Sequence, residues 1–338
     1  MLSILTINVQ AAALARAQKL LTWLLQRDDH VIILTETSNG PGTSHLLTGL
    51  HAAGMSVAHQ PSTDGDRGCA IASRIPTRPA PHLTAGISLP GRAPAVILGT
   101  DPAVTILGLY VPSSDRAPAK LAKKRTFLAT VNDTLGRLPA TDRAHLVVGG
   151  DYNVISRDHQ PRYPGFRPFE YDFLDALTAL GLSDVHRTLH PKVQAHSWIG
   201  RAGNGYRFDY LHTGPGLLPH LAAAAYLNQP RLAGFTDHCA HSADIDAIVP
   251  AAPTTHCPPA KTQRSPHCGA AKSSPAAPSS PYSSMGKTST TPSTAPAAPT
   301  TSARATSPPS SPASPPRTSS APANASTTLT PPSGPQFI

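Results

Sequence analysis

Short apolar runs of four to seven residues recur along the first 250 residues of this 338-residue chain, and they end there. Runs such as VIIL at 31–34 and HLVV at 145–148 are typical of strands that are buried on both faces. Longer segments at 11–26 and 118–138 place apolar residues at helical spacing. Many short strands separated by a few longer helices predict an α+β fold, a four-layered α/β/β/α sandwich of two packed β-sheets with outer helices.

Residues 251–338 have a composition that folded domains rarely show. This segment holds 19 of the 38 prolines and contains no Asp or Glu, and Ala, Ser and Thr make up most of the rest. Few of its side chains are large and apolar enough to offset the entropy cost of ordering the backbone. We therefore predict one folded domain over residues 1–250 and a disordered Pro/Ser/Thr/Ala-rich tail over 251–338.

Most of the formal net charge of +9 belongs to this tail, which carries six basic residues and no acidic ones. Net charge alone therefore gives no argument that the folded part binds nucleic acid, because such an argument needs basic residues that cluster on one face. The tail itself is expected to be a solvated appendage, a segment that attracts polyanions without specificity, or the product of a small shift in reading frame.

Cysteine spacing and hydropathy exclude several classes of protein. The four cysteines, Cys69, Cys239, Cys257 and Cys268, include no pair at two-residue spacing, so we expect neither a disulfide framework nor a structural zinc site. The amino terminus enters a strand pattern without a basic leader, and no apolar run approaches the roughly twenty residues of a membrane span. The expectation is a cytoplasmic protein without a membrane span.

Polar side chains lie at or just beyond the ends of several predicted strands. They are Asn8, Glu36, Asp151, Asn153, Asp209, Asp237 and His238. Any one of them has an ordinary explanation as a turn residue or a solvated carboxylate. If the strand ends converge on one rim, however, the carboxylates repel one another and need a compensating cation. Oxygen ligands favour a hard ion, so the pattern predicts Mg²⁺ or Mn²⁺ with a phosphate beside it.

The residues of several segments, and the order of these segments along the chain, resemble those of a known family. The segments are ILTIN (4–8), LTE (34–36), LYVPSS (109–114), GGDYN (149–153), SDVHR (183–187), HSWIG (196–200), GNGYRFDYLHTG (203–214) and TDH (236–238). Together they resemble the endonuclease/exonuclease/phosphatase superfamily, and within it the exodeoxyribonuclease III type of apurinic/apyrimidinic endonuclease. The resemblance covers residues 1–250, and the combination of G-D-x-N with a late T-D-H is its most specific part.

The resemblance implies a metal site. Glu36 resembles the principal metal ligand, Asn8 lies beside it, and Asp237 would contribute to the inner or outer shell of the ion. Gln10 stands where relatives often have Asp or Asn, and its amide oxygen would be a weaker ligand.

The resemblance also implies catalytic roles. Asp151 resembles the residue that orients or deprotonates the attacking water, with Asn153 as its companion hydrogen-bond donor. His238 resembles the histidine that contacts the scissile phosphate, and Asp209 the carboxylate that orients it. Tyr110 matches a tyrosine on the phosphate side of the site. The chemistry agrees, because negative charge that develops on a phosphate during attack by water must be met by donors already in place.

Three features bear on the substrate. Ser113 replaces the asparagine of the Y-x-P-N motif and is a shorter donor, and Tyr206 replaces a tryptophan but can still stack against a sugar or base. The basic run Lys120, Lys123, Lys124 and Arg125 could face a nucleic-acid backbone, although such a run is more often a solvated helix face.

These observations predict a metal-dependent hydrolase of phosphoester bonds, first of all a DNA phosphodiesterase in DNA repair, either endonuclease or exonuclease. The main alternative is the same chemistry on a phosphoinositide, on sphingomyelin or on RNA. A non-catalytic binding protein with a relic site is a third hypothesis, but a decayed site has no physical reason to keep a charged cluster. The expected partner is the phosphoester substrate, which the nuclease-like segments indicate to be DNA, and the sequence indicates no protein partner.

Overall fold

The strands are short, as the apolar runs predict, and they pair over long distances in sequence. The computed structural model describes residues 1–63, 65–114, 117–246 and 248–250. The strands are β1 (Leu2–Asn8), β2 (Val31–Thr37), β3 (Ser56–His59), β4 (Gly68–Ser73), β5 (Thr77–Pro79), β6 (Ala95–Leu98), β7 (Thr100–Asp101), β8 (Thr105–Tyr110), β9 (Leu146–Asp151), β10 (Ser183–Asp184), β11 (Trp198–Ile199), β12 (Gly205–Tyr206), β13 (Asp209–Thr213), β14 (Leu221–Leu227), β15 (Ala240–Ile245) and β16 (Val249–Pro250). The helices are α1 (Leu14–Leu25), α2 (Pro41–Ala52), α3 (Pro81–Thr84), α4 (Pro118–Arg137), α5 (Ala140–Ala144), α6 (Pro168–Ala179), α7 (Val185–Leu189) and α8 (Gln229–Leu232), with 3-10 turns at Pro90–Arg92 and Leu218–His220.

Two six-stranded mixed sheets carry the fold. The first sheet has the strand order β14-β15-β1-β2-β4-β3, and the second has the order β10-β13-β9-β8-β6-β5. The two central strands of each sheet run parallel, β1 with β2 and β8 with β9, and their outer neighbours are antiparallel to them. Since parallel neighbours end at the same edge, each sheet brings the carboxyl ends of its central strands together.

Three buried clusters separate four layers. Ile33 and Val147 belong to the apolar layer between the two sheets. The outer face of the first sheet packs against α1 and α2, where Leu20 is fully buried. The outer face of the second sheet packs against α4 and α6 through Phe127 and Phe173. The predicted four-layered sandwich of two sheets with outer helices is therefore confirmed.

The chain divides into two units, Met1–Ala260 and Lys261–Ile338. The predicted disordered tail, 251–338, lies outside the described residues, so it stays a prediction. Cys69 and Cys239 are buried free thiols. Among the residues that the structure describes, no helix is long and apolar enough to span a membrane.

Candidate active site

The carboxyl ends of the central strands carry four of the eight predicted site residues. In the first sheet, Asn8 is the last residue of β1 and Glu36 lies one residue before the end of β2. In the second sheet, Tyr110 and Asp151 end the parallel strands β8 and β9 and are register partners. Asp209 begins β13, which runs antiparallel, and it pairs with Asp151. The polar strand ends therefore do meet at one edge of each sheet.

Two side-chain contacts join the sheets at this edge. Nδ2 of Asn8 donates a hydrogen bond to Oδ2 of Asp151 at 2.8 Å, and both residues are buried. His238 precedes β15 of the first sheet, and its Nδ1 lies 2.7 Å from Oδ2 of Asp209 in the second sheet. Asp151, Asp209 and His238 form a buried group in which one ligand atom of each lies within 4.8 Å of the others.

Two hydrogen-bond donors hold the carboxylate of Asp151, and its surroundings disfavour the charged form. One oxygen accepts the Asn8 amide, and the other accepts the backbone N–H of Asn153 at 2.9 Å. Burial raises the pKa of Asp151 above its ordinary value and the charge of Asp209 raises it further, while His238 and the two hydrogen bonds oppose this increase. Asp151 can therefore accept a proton near neutral pH, as a general base must.

At His238, burial and the neighbouring charges act on the pKa in opposite directions. Burial lowers the pKa of His238, but the bonded carboxylate of Asp209, together with the charges of Asp151 and Asp237, outweighs burial and raises that pKa to about 9. The imidazole is therefore protonated near neutral pH, with its Nδ1–H donated to Asp209. A charged imidazolium next to a carboxylate suits the stabilisation of negative charge on a substrate.

The segment GGDYN turns the chain sharply where β9 ends. Gly150 has a φ of +142°, and a Cβ there would lie 2.0 Å from the carbonyl oxygen of Leu109, so only glycine fits. Asn153 follows in the left-handed region with a φ of +51°. This turn directs the backbone N–H of Asn153 at the carboxylate of Asp151.

A buried lysine supports this turn. Nζ of Lys124, which is 1% exposed, donates to the carbonyl of Asn153 at 2.7 Å and also pairs with the buried carboxylate of Glu170. Nδ2 of Asn153 donates to the carbonyl of Val111 at 3.0 Å. One N–H of the Asn153 amide is thus used inside the protein, which leaves the other for the predicted role as a donor.

Glu36 lies on an irregularity of β2. The register between β2 and β4 shifts between Thr35 and Thr37, and Glu36 has a φ of +57°. A non-glycine residue in this region is strained and must be held by its surroundings. The carbonyl of Glu36 accepts the N–H of Ala11 at 2.9 Å, while its half-buried carboxylate accepts no hydrogen bond from the described residues.

The segment TDH is fixed from both sides. Oγ1 of Thr236 donates to the carbonyl of Asn8 at 2.7 Å, which ties the segment to the end of β1. Nε1 of Trp198 donates to Oδ2 of Asp237 at 2.9 Å, while Oδ1 of Asp237 is buried without a hydrogen-bond partner among the described residues. Thr236 therefore has a structural task, and Asp237 keeps one oxygen open for a cation or a donor.

Tyr110 is clamped by an arginine. The guanidinium of Arg92 lies 4.5 Å from the centre of the Tyr110 ring, and its Nη1 donates to the Tyr110 carbonyl at 3.1 Å. Burial raises the pKa of Tyr110, and the charges of Glu36 and Asp151 add to this effect. The phenol is therefore protonated and can act as a donor beside Asp151.

Comparison with known proteins agrees with this geometry. A model of the Endonuclease/Exonuclease/phosphatase family matches residues 5–263. The chain belongs to this family. The family consists of phosphoester hydrolases, so the predicted superfamily and the predicted hydrolase class are confirmed. A search of curated proteins gives no match to the chain.

Several solved structures share the fold. A 3′ phosphatase, NExo from Neisseria, solved bound to a product DNA hairpin, is 22% identical with a TM-score of 0.60, and the match covers 73% of this chain and 100% of that protein. An AP endonuclease from Archaeoglobus fulgidus is 21% identical with a TM-score of 0.60 and the same coverage. The AP endonuclease LMAP from Leishmania major is 21% identical with a TM-score of 0.58, and the match covers 72% of this chain and 86% of that protein.

The residues at the site fit a divalent cation, as expected in this family. Oδ1 of Asp209 and Oδ1 of Asp237 are buried without a hydrogen-bond partner among the described residues. Open carboxylate oxygens of this kind suit a hard ion. The compact group Asp151, Asp209 and His238 is one candidate ligand set, but its histidine and one of its carboxylates already bond each other. In the predicted set, Glu36 and Asp237 have open carboxylate oxygens, whereas Oδ1 of Asn8 already accepts the N–H of Gln10 at 2.7 Å.

Two departures from the family pattern have structural roles. Oε1 of Gln10 accepts a hydrogen bond from Arg16 at 2.7 Å, and the Gln10 N–H donates to Oδ1 of Asn8. Tyr206 stacks against Tyr163, at 4.2 Å between ring centres, and against Phe208 at 5.2 Å. The predicted stacking of Tyr206 on a substrate would therefore have to use the part of the ring that these neighbours leave exposed.

The basic run of α4 does not form one face. Lys124 is buried against Glu170, so the prediction that it faces either solvent or nucleic acid is wrong. Lys123 pairs with Asp66 at 2.8 Å, and the guanidinium of Arg125 lies over the ring of Phe169. Helical spacing gave no sign of the buried lysine, because its partners are in distant segments.

Proposed function

We propose that this family member is a Mg²⁺- or Mn²⁺-dependent phosphodiesterase that cuts DNA at abasic sites or at 3′ ends. The observation that carries the proposal is the buried contact between a base and an acid at the edge of the sheets. Asp151 and the pair His238–Asp209 lie within one small buried group, in which a carboxylate that can accept a proton near neutral pH lies close to a protonated imidazole, and this arrangement suits hydrolysis of a phosphoester.

Support for DNA as the substrate comes from the solved structures that share the fold. They include a 3′ phosphatase bound to a DNA hairpin and AP endonucleases from two organisms. The segments 183–187 and 203–214 are the parts of the sequence that most resemble nucleases. They include Asp209 and residues close to it.

Asp151 is proposed to orient the attacking water and to accept its proton. Its raised pKa suits this task, because the carboxylate then takes up a proton readily near neutral pH. Asn8 and the backbone of Asn153 fix the carboxylate in one orientation. Pre-organisation of this kind lowers the cost of placing the water in line with the phosphorus atom.

His238 is proposed to donate a hydrogen bond to a non-bridging oxygen of the phosphate. Asp209 holds the ring and keeps it protonated, so the donor is charged when negative charge develops on the phosphate. The protonated phenol of Tyr110, beside Asp151 in the register of the second sheet, would supply a second donor on the same side.

Glu36, Asn8 and Asp237 would hold the divalent ion. When bound, the ion supplies positive charge against the phosphate oxygens. The left-handed backbone at Glu36 fits this role, since strain of this kind is often retained where a side chain must be aimed at a ligand.

The first test is incision of a labelled duplex with one abasic site, in Mg²⁺ and in EDTA, beside an RNA strand and an inositol phosphate. We expect Mg²⁺-dependent cutting at the lesion, with Asp151→Asn slower by about 10²- to 10⁴-fold because the general base is lost. Asp28→Asn, an exposed carboxylate before β2, is the matched control and should cut like the wild type. Turnover of the RNA or the inositol phosphate without DNA cutting would refute DNA as the substrate.

A further inference from the structure

The backbone of Asp209 is held by two hydroxyl groups from other segments. Oγ of Ser197 accepts its N–H at 3.1 Å, and the hydroxyl of Tyr226 donates to its carbonyl at 2.6 Å. Asp209 is the first residue of β13, where regular ladder bonds begin. Side-chain hydroxyls therefore complete the hydrogen bonding of the residue whose carboxylate holds His238.

The hydroxyl of Tyr226 has only one way to arrange its hydrogen. Nε of Arg207 donates to the Tyr226 oxygen at 2.8 Å, and a guanidinium cannot accept a hydrogen bond. The single O–H hydrogen is therefore committed to the carbonyl of Asp209. Arg207 is 2% exposed, and its Nη2 donates to Oδ1 of Asp184 at 2.6 Å, which fixes the guanidinium in turn.

The ring of Tyr226 is also fixed by packing. It stacks on His241, its register partner in β15, with 4.3 Å between ring centres and 14° between planes. His186 packs edge-on against the same ring at 4.9 Å. Arg207 therefore holds the hydroxyl group of Tyr226, and two buried imidazoles hold its ring.

Tyr226 and His238 approach Asp209 from the same sheet. Tyr226 lies in β14 of the first sheet and His238 lies just before β15 of that sheet, whereas Asp209 lies in the second sheet. Tyr226 binds the carbonyl of Asp209 and His238 binds its carboxylate. The tyrosine bond therefore links the two sheets at the residue that bonds His238.

We propose that Tyr226 is a positioning residue for the His238–Asp209 pair, acting through the backbone of Asp209. This inference rests on the proposed hydrolysis of DNA by that pair. Removal of the Tyr226 hydroxyl lets the start of β13 shift and lengthens or bends the bond between His238 and Asp209. Binding of the substrate is not directly affected, because in the proposed mechanism Asp209 acts through His238 and Tyr226 lies behind Asp209.

The test is Tyr226→Phe in the full-length protein, with Tyr210→Phe as the matched control. Tyr210 is also buried and next to Asp209 in sequence, but its hydroxyl donates to the carbonyl of Val154. On the abasic duplex with Mg²⁺ we expect Tyr226→Phe to lower kcat about tenfold with KM nearly unchanged, since a small misplacement of a reacting group costs rate. Tyr210→Phe should keep the wild-type kcat.

A second readout does not depend on activity. The proton on Nδ1 of His238, bonded to a carboxylate, should give a low-field proton NMR resonance that Tyr226→Phe shifts or broadens and Tyr210→Phe leaves in place. If the wild type cuts no DNA, the proposed substrate fails while this resonance still decides the positioning role. Equal changes in both variants, or none in Tyr226→Phe, would overturn the inference.

A second variant tests the same hydrogen bond through the arginine that holds the Tyr226 hydroxyl. Asp184→Asn keeps the tyrosine but weakens the hold on Arg207. It should also lower kcat, by a smaller factor than Tyr226→Phe does, and it should shift the same resonance. Wild-type kcat and an unshifted resonance in this variant would also contradict the proposal.

Discussion

Glu36 and Asp209 are alternative ligands for a cation, and their carboxylates differ in the hydrogen bonds that they already accept. Glu36 presents a half-buried carboxylate that accepts no hydrogen bond from the described residues, on a backbone held in the left-handed region. One carboxylate oxygen of Asp209 is already hydrogen-bonded to His238. A cation bound at Asp209 would compete with that imidazole for the carboxylate, whereas a cation bound at Glu36 would not.

We therefore predict that Glu36→Gln raises the Kd for Mn²⁺ at least about tenfold, because an amide oxygen is a weaker ligand than a carboxylate. Asp209→Asn should leave that Kd nearly unchanged, because the Asp209 carboxylate bonds His238. Titration followed by electron paramagnetic resonance of free Mn²⁺ gives both values without a substrate. The reverse pattern would place the ion in the group formed by Asp151, Asp209 and His238.

At the scale of elements, the turn that ends β9 depends on a glycine. Gly150 lies where a Cβ would meet the Leu109 carbonyl at 2.0 Å, in a backbone conformation that side chains rarely adopt. The strand must continue past this point to place Asp151 opposite Asp209. A shift of β9 to relieve the clash would move the carboxylate away from Asn8.

Gly150→Ala should therefore destabilise the protein by about 3 kcal/mol or more, the range seen where a special backbone conformation is lost. Gly136→Ala is the matched control, because Gly136 lies in α4 with open space around its Cβ position. Alanine there should stabilise the helix by about 0.5–1 kcal/mol. Urea unfolding of both variants measures the two effects, and a Gly150→Ala variant as stable as the wild type would contradict the steric argument.

The elements of this site show what a single sequence can and cannot predict. The strand ends at Asn8 and Asp151 were predictable, because apolar runs mark strands and parallel neighbours end at one edge. The family resemblance supplied the late His238. Lys124 and Tyr226 were not predictable, since their partners lie 29 and 17 residues away and on other elements. Local spacing contains no information on such pairs.

At the scale of the whole molecule, several buried histidines link stability to pH. His186, His212 and His241 belong to α7, β13 and β15, and all three are buried. Burial lowers the pKa of each, to about 4 for His186 and His212, and the nearby guanidinium of Arg207 adds to this effect, while Asp184 opposes it. The native fold therefore keeps these imidazoles neutral.

The sign of the pH effect follows from the lowered pKa values. The unfolded chain protonates these three histidines below about pH 6.5, whereas the folded chain protonates His186 and His212 only near pH 4, so the contribution of these imidazoles to stability is complete above pH 6.5 and is lost as the pH falls. Asp151 has the opposite effect on stability. Because its pKa is raised, the folded state binds a proton there at a higher pH than the unfolded chain does, which adds stability as the pH falls. Ion-paired carboxylates such as Asp66 and Asp184 have lowered pKa values and lose their contribution only below about pH 4.

We expect the unfolded state to bind a net excess of about two protons between pH 6 and pH 4.5, and each net proton changes the folding equilibrium about tenfold per pH unit. Urea unfolding in EDTA at several pH values measures this slope. His241→Phe should reduce the slope by about one proton, whatever it does to stability at pH 7.5, since one neutral imidazole is removed. His82→Gln, at an exposed histidine, should leave the slope at the wild-type value. An unchanged slope in His241→Phe would show that this imidazole is already protonated in the folded protein.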